Sequence, residues 1–566
     1  MAIRDLLKDE FRKALGTGTP EFSIAAPPRP DLGDYATNLA FLIAGKAKKS
    51  PSAVAENLLQ TLLERESFRK IVHDIRPAGG FLNITLRDEF VAAAFAKTAG
   101  QKTPLSAPKR KETVLIDYSS PNIGKPLSIA HIRSTIIGDA LARLYRALGY
   151  RVISDNHLGD WGLQAGILIA AYKLFEKRPV SRLTIHDMLS LYVRFHEAMQ
   201  EHKELESKAK LETKDLQDER PESLRIWNAF RKNSIAEFMQ IYRALGIKFD
   251  YMLGESTYRK LFSRIVEWSL KKNVAKISEG AVVIPLAHTY LPPVLIRKSD
   301  GGYLYHTFDL ATMYWRNKHF KPHKVLYVVA NEQAMHFEQL FGAAKKLGWM
   351  KKDELLHVKF GMVRGEDLKR LSTRKGKTIL LEEIIEEAVR RARKIVEVKN
   401  PKLPDREKVK IATAVGIGAL KYNDLSQNRN TDIVFDWDTM LDFKGNSAPY
   451  LQYTYARLRS IGRKVKKSSR GKSDLSLLKE AGERSLMQKT LQFQEAAEDA
   501  VKEYLPNLLC NYLWELANLA NAFYEKYSVL QAAPDLQAAR IALIKGTARV
   551  LKEGLSLLGI EAPEQV

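Results

Sequence analysis

The chain is predicted to be an α/β protein. A parallel-sheet domain with a helical insertion follows a small α/β domain and precedes an all-α helix bundle. Three observations predict this. Residues 113–154 pass from a β-branched run through a polar turn and a helical repeat to a second such run. A charged helical stretch at about 173–230 then separates this unit from further apolar strands. Beyond Pro401-Lys402-Leu403-Pro404 almost every segment carries a helical period.

Composition narrows the class. The 566 residues suffice for about three or four domains. The formal charge of +24 is spread along the chain, which suits either a solvated basic surface or a polyanionic partner. RNA or DNA is favoured over a membrane. The single cysteine, Cys510, excludes an internal disulfide and a multi-cysteine zinc site. Met1 to Glu10 reads as a charged amphipathic helix rather than a signal peptide, and no run approaches the ~20 apolar residues of a membrane span. A cytoplasmic protein is expected.

Residues 1–100 read as the small α/β domain. A first helix ends near Gly16, Ala26 to Asp34 forms a proline-rich turn, and Gly79 to Leu86 forms a turn with an alternating strand. In Gly33-Asp34-Tyr35-Ala36-Thr37-Asn38, Asp34 or Thr37 is placed to cap a helix. Residues 101–111, with their prolines and charges, read as a linker, and residues 112–395 as the parallel-sheet domain.

That domain opens on Thr113 to Ile116, a buried strand, and breaks at Pro121, Asn122, Gly124 and Pro126. From about His131 the chain turns helical, with Ile132, Ile136, Ala140, Leu144 and Leu148 on one face, and Gly149 stops it. Arg151 to Ser154 is the next strand. The turn of such a βαβ unit offers backbone N–H groups and polar side chains to an anion, a nucleotide phosphate foremost; an ordinary βα turn has the same pattern. Gly159 and Gly162 around Asp160 and Trp161 suggest a tight loop at a strand's carboxyl end, although Trp161 also suits a core. The 173–230 stretch reads as a solvated helical insertion. Phe249 to Ser256 reads as a strand ending in a turn. Leu326 to Val329 is a further buried strand whose polar end carries Gln333 and His336. Leu368 to Lys377 holds Lys369, Arg370, Arg374, Lys375 and Lys377 among small polar residues, which suits a loop closing over phosphates or a merely solvated surface. Residues 396–566 read as the helix bundle, with a basic stretch at Lys464 to Lys472.

Taken as motifs, Ser119-Ser120-Pro121-Asn122, Lys125, His131 and the run Ile132 to Asp139 resemble the signature region of class I aminoacyl-tRNA synthetases, most closely the arginyl-tRNA synthetases. Gly159-Asp160-Trp161-Gly162-Leu163-Gln164 and Ser372-Thr373-Arg374-Lys375-Gly376 are similar to two further segments of that family, in the same order. Ala419 to Ser426, Asp436 to Asp438 and Gly445 to Tyr453 resemble its anticodon-binding domain. The resemblance spans nearly the whole chain. It implies a class I Rossmann-type catalytic domain, an N-terminal domain that holds the tRNA elbow, and a helical anticodon-binding domain.

The same resemblance implies an arginine–tRNA ligase that uses ATP, with Mg2+ accompanying the nucleotide and no dedicated metal site. The partners are tRNA(Arg), L-arginine and ATP, and a monomer is expected. Lys125, Ser128, His131, Ser372, Arg374 and Lys375 take the catalytic roles. Ser120, Asn122, Glu255, Tyr305, Asp309 and Gln333 bind arginine. Lys125, Ser128, Ala130, His131, Gly159, Asp160, His336 and Ser372 bind ATP. Asn38, Phe41 and Tyr453 touch tRNA. One departure stands out: where the family has H-V-G-H or H-I-G-H, this chain has Ser128-Ile129-Ala130-His131. Either Lys125 supplies the missing charge, or the chain is an impaired paralogue that only binds RNA.

Overall fold

The computed structural model describes every residue except 1, 102, 106, 287–289, 350–353, 366–378, 465–472 and 566. The chain divides into two compact units. One comprises Met1–Pro108, Asp442–Leu557 and Glu561–Val566; the other comprises Lys109–Leu441 and Leu558–Ile560.

The first unit begins with helix Ile3–Leu15, whose Ile3, Leu7 and Phe11 repeat every four residues and are buried. Strands β1 (Ile24–Ala25), β2 (Tyr35–Thr37), β3 (Val72–Ala78) and β4 (Phe81–Leu86) form an antiparallel sheet in the order β1-β2-β4-β3. Alternation along β4 buries Leu82, Ile84 and Leu86. The helix bundle, Ala448–Lys464 through Pro534–Leu557, packs directly on this domain. Arg484 donates to both Asp34 oxygens at 2.9 and 2.8 Å and to Asp88 at 2.6 Å. A Cβ on Gly546 would lie 2.5 Å from the Phe95 ring, so helix contact there requires glycine. Asp34 thus serves as a buried partner of Arg484 rather than as a helix cap. Thr37 takes the capping role, its Oγ1 accepting from the Leu39 N–H at 3.3 Å, while Asn38, at the N-cap position, accepts from Ser23 through its side-chain oxygen.

The second unit is built on a four-stranded parallel sheet: β5 (Thr113–Asp117), β6 (Arg151–Asp155), β10 (Lys324–Tyr327) and β11 (Leu355–His357), ordered β11-β10-β5-β6. Between β6 and β10 lies a three-stranded antiparallel sheet of β7 (Lys276–Ser278), β8 (Ala281–Ile284) and β9 (Val294–Arg297). All five β5 residues are buried, as a central parallel strand requires. Helix Ile129–Ala147 crosses from β5 to β6 and buries Ile132, Ile136, Ala140 and Leu144. The β5 connection leaves toward β6 and the β10 connection toward β11. A crevice therefore opens at the carboxyl ends of β5 and β10, where such sheets place ligands.

Two expectations change. The insertion is not merely solvated. Helices Ile185–Glu201, Glu204–Gln217 and Pro221–Ala244 bury Met188, Phe195, Leu216, Ile226 and Phe230 in the core of this unit. Only their outward faces carry the charge, so composition alone overstated exposure. The segment from Phe249 is not a strand either. Only Tyr251 makes a single bridge, to Asp155, before a 3-10 turn at Glu255–Leu261.

The helical region after Pro404 also divides differently. Helix Asp405–Leu425 and the strand β13 (Ile433–Val434) belong to the sheet-bearing unit. Buried Arg133 of the crossing helix holds them there through Asp424 at 3.3 Å and the carbonyls of Gly361 and Thr431 at 2.7 and 3.0 Å. Strand β12 (Val363–Arg364) pairs with β13 in parallel. Among the described residues no helix is long and apolar enough to cross a membrane.

Candidate active site

The site grows from the end of β5. Ser119 and Ser120 follow Asp117 with φ of +76° and +48°, a left-handed pair that serine adopts only when its surroundings impose it. The imposition is visible. The Ser119 N–H donates to Ser134 Oγ at 2.9 Å, and its hydroxyl pairs with the Tyr242 hydroxyl at 2.7 Å. The Ser120 N–H donates to Asn156 Oδ1 at 3.0 Å, and Ser120 Oγ donates to Asp117 at 3.0 Å. Beneath them buried Arg316 bridges Asp117 at 2.7 Å and Asp155 at 2.8 Å, which gives the carboxylates at the ends of two adjacent strands a shared cationic partner.

Two glycines set the next layer. A parallel bridge joins Asn122 to Gly159, and a Cβ on Gly159 would lie 1.8 Å from Asn122 Oδ1. A Cβ on Gly254 would meet the Asp160 carboxylate at 2.1 Å. Asp160 itself is fully buried. It accepts from Ser256 N–H at 2.9 Å, Ser256 Oγ at 2.8 Å and Arg231 at 2.8 Å. Its carboxylate therefore braces the loop from within, which a sequence reading of ATP contact did not anticipate. Trp161 is buried and meets Trp227 edge to face, so its core reading holds.

At the start of the crossing helix Ser128 is the N-cap and is nearly buried. Its N–H donates to His131 Nδ1 at 3.1 Å, and its hydroxyl lies 3.1 Å from the same nitrogen. An N–H can only donate, so Nδ1 is an acceptor and the ring proton sits on Nε2. Burial lowers the His131 pKa below the ordinary histidine value, which keeps the ring neutral at pH 7. Ala130 is exposed on the first turn.

Ser372, Arg374 and Lys375 lie outside the described residues. The chain that follows them is placed: Ile129 N–H donates to Ile379 O at 3.1 Å, and Leu381 N–H donates to Leu127 O at 2.8 Å. The exit of the second basic motif is thus stitched to the first signature. The 465–472 basic stretch also lies outside the described residues.

Glu255, the residue after Gly254, is buried, and its carboxyl is pushed well above the ordinary carboxylate value. Burial is the main cause, followed by the charges of Asp309 and Asp160. Among the described residues no cation pairs with it. Asp309 stands one helical turn beyond Tyr305 on helix Tyr305–Phe320, and Tyr305 is exposed. His336 Nε2 lies 2.7 Å from Asp309 Oδ2. His336, expected beside ATP, thus has Asp309 as a partner. Gln333 is exposed in the 3-10 turn just beyond β10. Among the described residues no group of three or more His, Cys, Asp or Glu side chains could hold a metal.

Three groups escaped the sequence reading: Arg316, Tyr242 and Tyr192, whose ring lies under the Lys125 ammonium at 4.0 Å. Each acts across a long sequence separation, so no local pattern marks it. In the other unit Phe41 and Phe81 are exposed and meet edge to face at 5.0 Å. Arg457 donates to the Tyr453 hydroxyl at 3.2 Å.

Known proteins align with this arrangement from end to end. Residues 95–437 match the family model of the class I tRNA synthetase (R) catalytic domain. Residues 451–566 match the DALR anticodon binding domain, and residues 1–86 the arginyl tRNA synthetase N-terminal domain. The arginine–tRNA ligase of Fusobacterium nucleatum is 38% identical over 542 residues, covering 95% of this chain and 94% of that one. That of Chloroflexus aggregans is 39% identical over 547 residues, covering 95% of each. The arginyl-tRNA synthetase of Thermus thermophilus superposes with a TM-score of 0.84 at 27% identity over all of both chains. Ala419 to Ser426 fall inside the catalytic match, in keeping with their place in the sheet-bearing unit and not with the anticodon-binding assignment. With three domain models in order and whole-length relatives on every side, the chain belongs to the arginyl-tRNA synthetase family of class I tRNA synthetases.

Proposed function

We propose that this chain is an arginine–tRNA ligase in which Glu255 and Asp309 trap the guanidinium of L-arginine. The observation that carries the arginine pocket is the buried Glu255, beside Asp309 and without an ion-pair partner among the described residues. Two neighbouring carboxylates in such a place are costly until a cation arrives, and a planar guanidinium with five donors satisfies both. Lysine and citrulline lack either the geometry or the charge. Tyr305 flanks the pocket, His336 orients Asp309, and Ser120, Asn122 and Gln333 take the substrate's α-amino and carboxylate groups.

The reaction has two steps. The arginine carboxylate oxygen attacks the α-phosphorus of ATP, and the bond to the bridging oxygen breaks with loss of pyrophosphate. A hydroxyl of the terminal tRNA ribose then attacks the arginyl carbonyl, and AMP leaves. The first step needs donors and cations around the phosphate oxygens. His131 serves through Nε2–H, Lys125 through its ammonium, and Ser372, Arg374 and Lys375 from the following loop. Ser128, capped onto His131, sets that ring's tautomer, and the charge at this corner falls to Lys125. Ala130 and Gly159 line the nucleotide side, while Asp160 holds the Gly159 loop in place. Mg2+ enters with ATP as part of the substrate. Asn38 and Phe41 hold an unpaired base at the tRNA elbow, with Phe81 extending the aromatic platform. Tyr453 contacts the anticodon arm. We further propose that the chain acts as a monomer in the cytoplasm. The RNA-binding paralogue has no observation in its favour.

Aminoacylation of matched tRNA with each of the twenty amino acids tests the proposal. Arginine alone should be charged. Charging of another amino acid in its place, or no arginine-dependent ATP–pyrophosphate exchange with cognate tRNA present, refutes it.

A further inference from the structure

We propose that Tyr192, on the helical insertion, is a positioning residue that holds the Lys125 ammonium over its ring face at the triphosphate site. The inference rests on the reading that Lys125 grips the phosphates.

The lysine's main chain is already immobilised. Gly124 has φ +76°, and its N–H donates to Ser234 Oγ at 2.9 Å. A Cβ there would lie 2.5 Å from Leu168. Pro126 follows on the other side. What remains free is the long, flexible side chain, whose ordering would otherwise fall on the bound nucleotide. The Tyr192 ring removes that freedom, with the ammonium 4.0 Å from its centroid. A carboxylate would hold the lysine as well, but would cancel the charge that the phosphates need. An aromatic face attracts a cation through its quadrupole and leaves the charge intact. Among the described residues Lys125 has no carboxylate in ion-pairing reach, and partial burial lowers its pKa.

Tyr192 is itself fixed. Its helix buries Met188, Leu191 and Phe195 in the core and starts with a Thr184–Asp187 capping box. His186 on the same helix lies 3.0 Å from Glu382, in the first turn of the helix that follows residues 366–378. Two groups bear on the pair. The His196 ring lies 4.4 Å from Tyr192, and burial, then the Lys125 charge, hold it below its ordinary pKa, so it adds no second cation at pH 7. Tyr305 acts on the Tyr192 hydroxyl, which burial raises first. The insertion thereby carries the ring that lies against the phosphate-gripping lysine.

The test is ATP–pyrophosphate exchange by the full chain with arginine and cognate tRNA. Tyr192→Leu should lower kcat/KM for ATP about tenfold, with KM for arginine unchanged. Tyr192→Glu should lower it further by neutralising Lys125, and Tyr192→Phe, which keeps the ring, should recover most of the loss. In a Lys125→Ala background Tyr192→Leu should add nothing. If Tyr192→Leu and Tyr192→Glu both match the parent, or if Leu costs as much without Lys125 as with it, the proposal is overturned. If Lys125→Ala alone leaves ATP kinetics intact, the assignment of Lys125 falls, and this inference with it.

Discussion

Replacing Glu255 by Gln separates what this carboxylate does for substrate from what it does to the fold. Glu255 is only 9% exposed, so solvent screens it little. Its amide isostere keeps the volume and removes the charge opposite the guanidinium. Asp309 remains, 28% exposed and bonded to His336, and retains part of the attraction. The loss therefore belongs at the low end of the range for breaking a buried charge pair. That is about 3 kcal/mol, or about two decades in kcat/KM for arginine. Stability should move the other way. Because the folded pKa is raised, ionising Glu255 costs folding free energy. That cost is absent below the unfolded carboxyl pKa and grows as pH rises through the folded value. Glu255→Gln removes it. The arginine-free variant should melt higher than the parent at pH 8, by about 1–3 °C, with a smaller difference near pH 5. Arginine-dependent exchange and thermal melts at the two pH values read both effects. An arginine KM and kcat/KM within threefold of the parent would refute the guanidinium assignment. A stability gain over the parent that is no larger at pH 8 than at pH 5 would refute the electrostatic account of the pocket.

Three further outcomes follow from the same geometry. Asp309→Asn should reduce kcat/KM for arginine by about 2 kcal/mol, and undisturbed arginine use would show the pocket wrongly assigned. Lys125→Ala should lower exchange turnover about a hundredfold while arginine KM changes little; unchanged turnover removes Lys125 from the phosphate site. Gly159→Ala places a methyl where Asn122 Oδ1 now sits, 1.8 Å from the new carbon. Asn122 must move, and arginine kcat/KM should fall about tenfold, with folding by circular dichroism preserved. Parent-like kinetics would show that Asn122 does not hold substrate.

The βαβ unit was legible because its periods are local. A fully buried strand and a helix with apolar residues every four positions announce themselves within thirty residues. The order of the motifs was equally legible, and Glu255, Asp309, Lys125 and His131 could be proposed because each sits in a distinctive string. The sequence also marked Ser128 as a departure. Only coordinates revealed it as a helix cap that sets the His131 tautomer.

Tertiary structure alone decided the rest. Asp34, Asp160 and His336 each stood out as capping or ligand residues, but only packing shows their protein partners: Arg484, then Ser256 and Arg231, then Asp309. The insertion's charge concealed a buried face, and the helix after Pro404 joined the sheet-bearing unit through Arg133. Leu558–Ile560, at the far end of the chain, belongs to that unit too, with Lys421 donating to Gly559 O at 2.6 Å. A sequence encodes which elements form through neighbours three or four residues apart. Which distant charges meet depends on how those elements pack, and that information is spread over the whole chain.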